Sequence, residues 1–190
     1  PFILMNASAN PQDVTTLMHE AGHAYASMEA FSQSRLTLCH SPSLDICEIH
    51  STALEYLTYP LMTPFFGDSA DDYALMHMTE SLVFLPYGCL VDEYQHRVYD
   101  EPDLGPEGRH AVWRELERKY QPYLEYDEGE YFDLGRAWHK KEHIFVAPFY
   151  YIDYCIAQMA ALELWMISRE DKEEAIRRYT QLCRAAGTAP

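Results

Sequence analysis

Apolar side chains recur at three- and four-residue intervals along most of the chain. In the segment 44–57, for example, Ile46, Ile49, Ala53, Leu54 and Leu57 fall at helical spacing. This spacing matches the period of an α-helix and recurs in several separate stretches. The predicted helices span about residues 11–31, 44–57, 68–99, 106–120, 131–144, 148–168 and 171–186. The pattern therefore predicts a mainly α fold.

Proline, glycine and capping residues mark where these elements begin and end. Asn10 and Pro11 have the residue types preferred at the N-cap and the first position of a helix. Pro86 lies inside the predicted helix 68–99 and is expected to kink or split it. Residues 1–6 are apolar and extended in character, so they predict at most a short edge strand. A length of 190 residues fits a single domain with its own core, and we assign residues 1–190 to one domain.

The first long helix carries an H-E-x-x-H motif, formed by His19, Glu20 and His23. Residues four apart share one face of a helix, so both imidazoles can bind the same metal ion. Glu20 lies beside that ion, where a carboxylate can act as general base on metal-bound water. Zinc with an open coordination position is the usual ion in such sites. The motif therefore predicts one Zn²⁺ per chain and metal-assisted hydrolysis of peptide bonds.

Two histidine ligands require a third ligand from elsewhere in the chain. The downstream candidates are His40, Glu48, His50, Glu55, His77 and His143. The segment 44–57 is the strongest source, because a glutamate on a second helix completes an H-E-x-x-H site in glutamate-type zincins. Glu48 and Glu55 lie seven residues apart and share a helix face. We assign Glu48 to the metal and Glu55 to a hydrogen bond with a ligand imidazole, since metal-bound histidines usually donate their second N–H.

His50 lies on a different face of this helix from Glu48, about 200° away at roughly 100° per residue. We therefore expect a surface histidine, or one whose hydrogen bonds are satisfied within the fold.

The net charge limits which partners are expected, and the cysteine content indicates the cellular compartment. The formal net charge of −16 argues against binding to nucleic acid or to an anionic membrane surface. Because no run of 18 apolar residues occurs, no membrane-spanning helix is expected. The five cysteines are odd in number and form no C-x-x-C pair, which is typical of a reducing compartment and predicts a cytoplasmic protein. The pattern does not indicate an oligomeric state.

Several segments together resemble a known family of peptidases. They are H-E-A-G-H-A at 19–24, C-E-I-H-S at 47–51, F-L-P-Y-G at 84–88, D-E-Y-Q-H at 92–96, W-R-E-L-E-R-K-Y at 113–120, H-I-F at 143–145 and P-F-Y-Y-I-D-Y at 148–154. This order of motifs resembles the oligoendopeptidase F branch of the thimet oligopeptidase family, in particular its Pz-peptidase subgroup. The separation of 25 residues between His23 and Glu48 is similar to the family's spacing. The resemblance covers nearly the whole chain.

The resemblance implies a glutamate-type, zincin-like helical catalytic domain that hydrolyses short oligopeptides. It implies that His19, His23 and Glu48 hold the zinc ion. Glu20 would then act as general base and carry the proton to the leaving amine.

The resemblance also implies a second group of catalytic residues in the late segment. His143 and Tyr154 would donate hydrogen bonds to the substrate carbonyl and to the tetrahedral oxyanion. Tyr150 and Tyr151 are further candidates, and the sequence leaves open which of the three tyrosines faces the metal.

Members of this family are normally several hundred residues long. We therefore expect this chain to be a catalytic core that is truncated on its N-terminal side, with an incomplete substrate channel. An alternative is a zinc-binding helical fragment without turnover. A weaker alternative is a zinc aminopeptidase, which would need an anchor for the substrate α-amine, and no motif for one is evident.

Overall fold

The computed structural model describes residues 1–33, 35–40 and 42–185. Within these ranges the chain is built from α-helices joined by short loops and 3-10 turns. The helices are α1 Pro11–Gln33, α2 Leu44–Leu57, α3 Thr63–Phe66, α4 Ala70–Asp100, α5 Pro106–Tyr120, α6 His143–Val146, α7 Tyr151–Glu170 and α8 Lys172–Ala185. The mainly α prediction is confirmed. Residues 1–8 have no regular structure, so the short edge strand allowed for residues 1–6 does not form.

The chain divides into two compact units. One comprises residues 1–79 and 156–190, and the other comprises residues 80–155. The division falls within α4 and α7. The assignment of 1–190 to one catalytic domain stays a prediction.

Small residues in α1 permit close helix packing in the first unit. Gly22, Ala26 and Ala30 are buried and recur every four residues, so they form one stripe on α1. A Cβ atom at position 22 would lie 2.6 Å from the Cα of Ser51 and 2.7 Å from the carbonyl oxygen of His50. Both of those atoms belong to the backbone of α2, so any side chain at position 22 would push the two helices apart. The rest of this core is contributed by Ala53, Tyr56, Ala161, Leu164, Tyr179 and Cys183.

The second unit has an aromatic core. Trp113 of α5 is fully buried, and Tyr94 of α4 packs edge-on against it with ring centroids 5.1 Å apart. Leu90, Val91, Leu116, Trp138 and Tyr151 belong to the same cluster. Pro86 lies inside α4 but does not split it, because the helix continues without interruption to Asp100.

The predicted helix over 131–144 is wrong. Residues 131–135 form turns, Ala137–Lys140 form a short 3-10 helix, and only His143–Val146 are α-helical. The physical reason lies at Gly135, whose φ of 72° is left-handed. Right-handed helix cannot continue through that residue. The apolar periodicity of the segment instead reflects burial of Ala137 and Trp138 in the core.

Among the residues that the structure describes, one helical stretch is long and apolar enough to cross a membrane, although the sequence predicted none. Within Thr63–Asp100 an 18-residue window has a mean hydropathy of 1.3, and 28% of the window is buried. A single stretch of this kind is weak evidence, because core helices of soluble proteins pass the same test.

Replacing Gly135 with alanine should destabilise the second unit more than replacing Gly129. Both glycines have left-handed φ values, 72° and 78°, so each alanine costs about 1–2 kcal/mol in backbone strain. A Cβ at position 135 would additionally lie 2.1 Å from the carbonyl oxygen of His110, whereas nothing lies within 4 Å of a Cβ at position 129. Thermal unfolding followed by circular dichroism should show a clearly larger loss of Tm for Gly135→Ala. Equal losses would contradict the contact at His110.

Candidate metal centre

Three potential metal ligands converge in the first unit. His19 and His23 lie one turn apart in the middle of α1, and Glu48 lies near the start of α2. The Oε2 atom of Glu48 is 3.2 Å from Nε2 of His19 and 3.4 Å from Nε2 of His23. One ligand atom from each of these residues lies within 4.8 Å of the other two. These residues form the metal group discussed below.

The spacing of the metal group fits a tetrahedral ion. Zinc bound to nitrogen and oxygen at about 2.0–2.2 Å holds neighbouring ligand atoms about 3.3 Å apart. The two measured separations from Glu48 agree with this value. Two imidazoles and one carboxylate are also a donor set that zinc accepts with a position left open. The positions and chemistry of His19, His23 and Glu48 therefore fit a single zinc ion.

Glu48 is held in place by its own helix. The hydroxyl of Ser51 donates to Oε2 of Glu48 at 3.2 Å and to the Glu48 carbonyl oxygen at 3.0 Å. Burial raises the pKa of Glu48, but hydrogen bonds from His19 and His23 outweigh it and hold the pKa well below its usual range. The side chain is therefore an anion that is ready to bind a cation.

His19 lies between two carboxylates. Its Nδ1 is 2.6 Å from Oε1 of Glu55, while its Nε2 faces Glu48. Burial lowers the pKa of His19, but the hydrogen bonds to Glu48 and Glu55 outweigh it and raise the pKa to about 9. In the metal-free chain His19 therefore carries an extra proton at pH 7, which an incoming metal ion must displace.

The other histidine candidates for the third ligand lie in different surroundings. The ring of His40 packs edge-on against Phe31. His50 is fully buried instead of lying at the surface, with Nδ1 3.3 Å from the carbonyl oxygen of Cys47. His77 is also buried, and its Nε2 is 2.8 Å from Oε2 of Glu55. Sequence reasoning considered His77 only as a candidate third ligand and did not place it beside Glu55, because the two residues approach each other only through the fold.

The residues of the late segment form a cluster within the second unit. His143, at the start of α6, has its ring centroid 4.9 Å from that of Tyr151 and 5.7 Å from that of Tyr154. Tyr150 precedes α7 and packs against Tyr154 at 5.1 Å. Burial, together with the charge of Lys141, lowers the pKa of His143, so its ring is neutral at pH 7 and keeps one N–H to donate.

The three tyrosines differ in accessibility. Tyr151 is buried in the core of the second unit, and its hydroxyl accepts a hydrogen bond from Nζ of Lys141 at 2.9 Å. Tyr150 and Tyr154 are only partly buried. Of the three, Tyr151 is therefore the least accessible to a substrate.

An unusual turn precedes these tyrosines. Phe149 has a φ of 65°, which is left-handed and unfavourable for an aromatic residue. The Oε1 atom of Gln95 accepts a hydrogen bond from the Phe149 N–H at 2.8 Å, and the Phe149 ring packs against Tyr99 and His96. The predicted start of this helix at residue 148 is therefore wrong, and α7 begins at Tyr151 because the left-handed residue stops regular helix before it.

Comparison with known proteins gives the family. The sequence model of peptidase family M3 matches residues 1–187. The chain belongs to peptidase family M3. The resemblance to oligoendopeptidase F seen in the motifs is thereby confirmed, and a metallopeptidase family agrees with the His and Glu cluster described above.

Individual M3 relatives are similar over almost the whole chain. Oligopeptidase PepF of Bacillus subtilis (strain 168) is 26% identical over 204 residues, which cover 99% of this chain and 28% of PepF. The structure of Pz peptidase A with an inhibitor superposes with a TM-score of 0.94 at 42% identity, covering 100% of this chain and 34% of that one. A Bacillus anthracis chain described as an oligoendopeptidase F superposes with a TM-score of 0.76 at 39% identity, covering 93% of this chain and 28% of that one. The M3 chain thus spans about a third of the length of these relatives.

Replacing Gly22 with alanine tests whether close helix contact assembles the metal group. Helix propensity alone favours alanine in a helix by about 1 kcal/mol, so without the contact the variant should be more stable. The backbone of α2 lies 2.6 Å from the new Cβ, so we expect instead a lower Tm and a zinc affinity that is at least tenfold weaker. Competition with a chromogenic chelator measures the affinity.

Gly108→Ala in α5 is the matched control for this change. Its new Cβ would meet only the end of the flexible Leu104 side chain, at 2.5 Å. Parental zinc affinity is expected for Gly108→Ala. Parental affinity in Gly22→Ala as well would show that the metal group does not depend on the contact at Gly22.

Proposed function

We propose that this M3 chain is the zinc-binding catalytic core of an endopeptidase that hydrolyses short oligopeptides. The observation that carries the proposal is the placement of His19, His23 and Glu48 at the ligand separations of a tetrahedral ion. A zinc ion with an open position would supply Lewis acidity toward a peptide carbonyl and toward water. The other steps fall to side chains of the chain itself.

Glu20 is proposed as the general base. It follows His19 directly in α1 and precedes His23 by three residues, a spacing that places two residues on the same side of a helix. Its carboxylate would take a proton from the attacking water and return that proton to the leaving amine. Removal of such a group typically costs about 10²–10⁴-fold in rate.

His143 and Tyr154 are proposed as donors to the substrate. A neutral imidazole and a phenol can both donate to the carbonyl oxygen as negative charge develops on it. The low pKa of His143 and the partial exposure of Tyr154 support these roles. Tyr150 is the second tyrosine of choice, since Tyr151 is buried and its hydroxyl is engaged by Lys141.

Peptide substrates are supported by the family and by the names of the relatives, an oligopeptidase and an oligoendopeptidase F. The acidic net charge of −16 supports the exclusion of nucleic acid as a partner. The restriction to short peptides is part of our proposal, because the family match indicates peptide substrates without a limit on their length.

Replacing Glu20 with glutamine should abolish cleavage and leave zinc in place. The amide cannot accept the proton from water, so hydrolysis of an internally quenched peptide should fall by at least about a hundredfold. Zinc content, measured by atomic emission, should stay at one ion per chain because Glu20 is not a ligand. Glu29→Gln, on the same helix but paired with Arg184, is the matched control and should keep parental activity.

Two outcomes would decide against parts of this proposal. Full cleavage by Glu20→Gln would remove Glu20 from the mechanism. Zinc bound by the parental chain at one equivalent, without any cleavage, would favour a zinc-binding module without turnover.

Replacing Tyr154 with phenylalanine should lower kcat by about a hundredfold with unchanged zinc content, because one donor to the oxyanion is lost. Tyr151→Phe is the matched control: it removes a hydroxyl that is engaged by Lys141, so kcat should stay within a few-fold of the parent. Steady-state kinetics on the same quenched peptide compares the two variants. The opposite ranking would assign the role to Tyr151.

A further inference from the structure

Both carboxyl oxygens of Glu55 are hydrogen-bonded to histidines, and these histidines lie on two different helices. Its Oε1 is 2.6 Å from Nδ1 of His19 on α1, and its Oε2 is 2.8 Å from Nε2 of His77 on α4. On the far side, Nδ1 of His77 is 2.6 Å from the hydroxyl of Tyr59. A continuous series of hydrogen bonds therefore runs from Tyr59 through His77 and Glu55 to His19, entirely within the first unit.

The position of each proton in this series of hydrogen bonds follows from the neighbouring donor and acceptor atoms. Each oxygen of Glu55 lies within hydrogen-bond distance of a histidine ring nitrogen, so the Glu55 carboxyl group accepts at both oxygens. His77 must therefore donate from Nε2, which in the neutral ring leaves Nδ1 to accept from Tyr59. Burial raises the pKa of Tyr59 far above its usual range, so the phenol keeps the proton it donates.

His77 is fixed in orientation by the rings around it. The residue is buried, Tyr73 stacks on its ring at 6.1 Å and 10°, and Tyr56 and Tyr59 pack at 5.2 and 5.7 Å. Such a ring cannot turn away from Glu55 without disturbing several aromatic neighbours.

We propose that His77 is a positioning residue for the metal centre, which orients the Glu55 carboxylate and thereby the His19 imidazole. With only one partner, the carboxylate could rotate about its last torsion and would leave one buried oxygen without a donor. The bond from His77 fixes the plane of the carboxylate, so that Oε1 receives Nδ1–H of His19. Nε2 of His19 then faces Glu48 and His23, where a metal ligand is needed.

The inference rests on the metal group of the proposed function, but it concerns affinity and geometry instead of turnover. Loss of an outer hydrogen-bond partner of a metal-bound histidine typically weakens metal binding about 10–100-fold. His77 is one hydrogen bond further away than Glu55, so we expect the lower end of that range, about tenfold.

Two amide variants separate the hydrogen bonds of His77. In His77→Gln the side-chain amide takes the place of Nε2 and can still donate to Glu55. In His77→Asn the shorter amide takes the place of Nδ1 and keeps only the hydrogen bond with Tyr59. Oε2 of Glu55 then lacks the donor that His77 supplied. Both are neutral amides, so the comparison isolates the bond to Glu55 from loss of the ring.

The measurements are the zinc Kd by chelator competition and the visible absorption spectrum of the Co²⁺-loaded chain. We expect His77→Gln to bind zinc within about threefold of the parent and to keep its Co²⁺ spectrum. We expect His77→Asn to bind about tenfold more weakly and to shift that spectrum, because the His19 ligand is no longer held. Tyr73→Phe, which removes the hydroxyl bond to Thr15 but no member of the series, should lower Tm and leave the zinc Kd unchanged.

Three results would overturn the inference. Equal zinc affinities for the Gln and Asn variants, with parental Co²⁺ spectra in both, would reduce His77 to a packing residue. A weaker Gln variant than Asn variant would assign the effect to Tyr59. If the parental chain binds no zinc, both this inference and the proposed function fail. If the parental chain binds zinc and the His77 variants bind it equally well, only this inference fails.

Discussion

The contact of α1 with α2 at Gly22 is the constraint on which the candidate metal centre depends. Two candidate ligands come from α1 and the third comes from α2, so the distance between the helices sets the distance between the candidate ligands. Backbone atoms of α2 lie where a Cβ of residue 22 would be, and Glu48 lies one turn from that point. The two unspecified positions of the H-E-x-x-H motif are therefore not equivalent, because the second of them is the packing surface that brings Glu48 to His19.

Electrostatics explains why this arrangement is stable before a metal binds. Glu48 and Glu55 are buried carboxylates on one helix face, and each needs a compensating partner. His19 supplies it by standing between them with a pKa raised to about 9. The protonated His19 ring thus lies between the two carboxylates and offsets their negative charge.

Local patterns predicted much of the fold, and long-range contacts account for what they missed. Helices α2 and α5 begin and end where their periodicity predicts, because each is a short, uninterrupted amphipathic segment. The 131–144 segment was predicted as helix because its apolar spacing is helical. What prevents the helix is the left-handed backbone at Gly135, which approaches the carbonyl oxygen of His110, a contact no local pattern encodes.

The candidate site, like the fold, was only partly predictable from local sequence patterns. The spacing of His19, His23 and Glu48 is visible in the sequence, as is the spacing of Glu55, because each lies on a helix with a readable face. The roles of Gly22 and His77 are not visible, since each depends on an atom of another helix. A glycine in the middle of a helix is the one local signal that could have drawn attention to Gly22, because glycine is unfavourable there without a packing reason.

Phe149 has a consequence for which amino acids its position accepts. The left-handed backbone favours glycine or asparagine, whereas the space between Tyr99 and His96 favours an aromatic ring. Phenylalanine meets only the second demand, so the chain tolerates about 1–3 kcal/mol of backbone strain in order to keep the ring. The hydrogen bond from the Phe149 N–H to the buried Gln95 side chain holds this strained turn. Because Gln95 accepts from the backbone N–H, which every residue except proline supplies, this bond survives a change of side chain at position 149, and proline is the residue that the turn excludes.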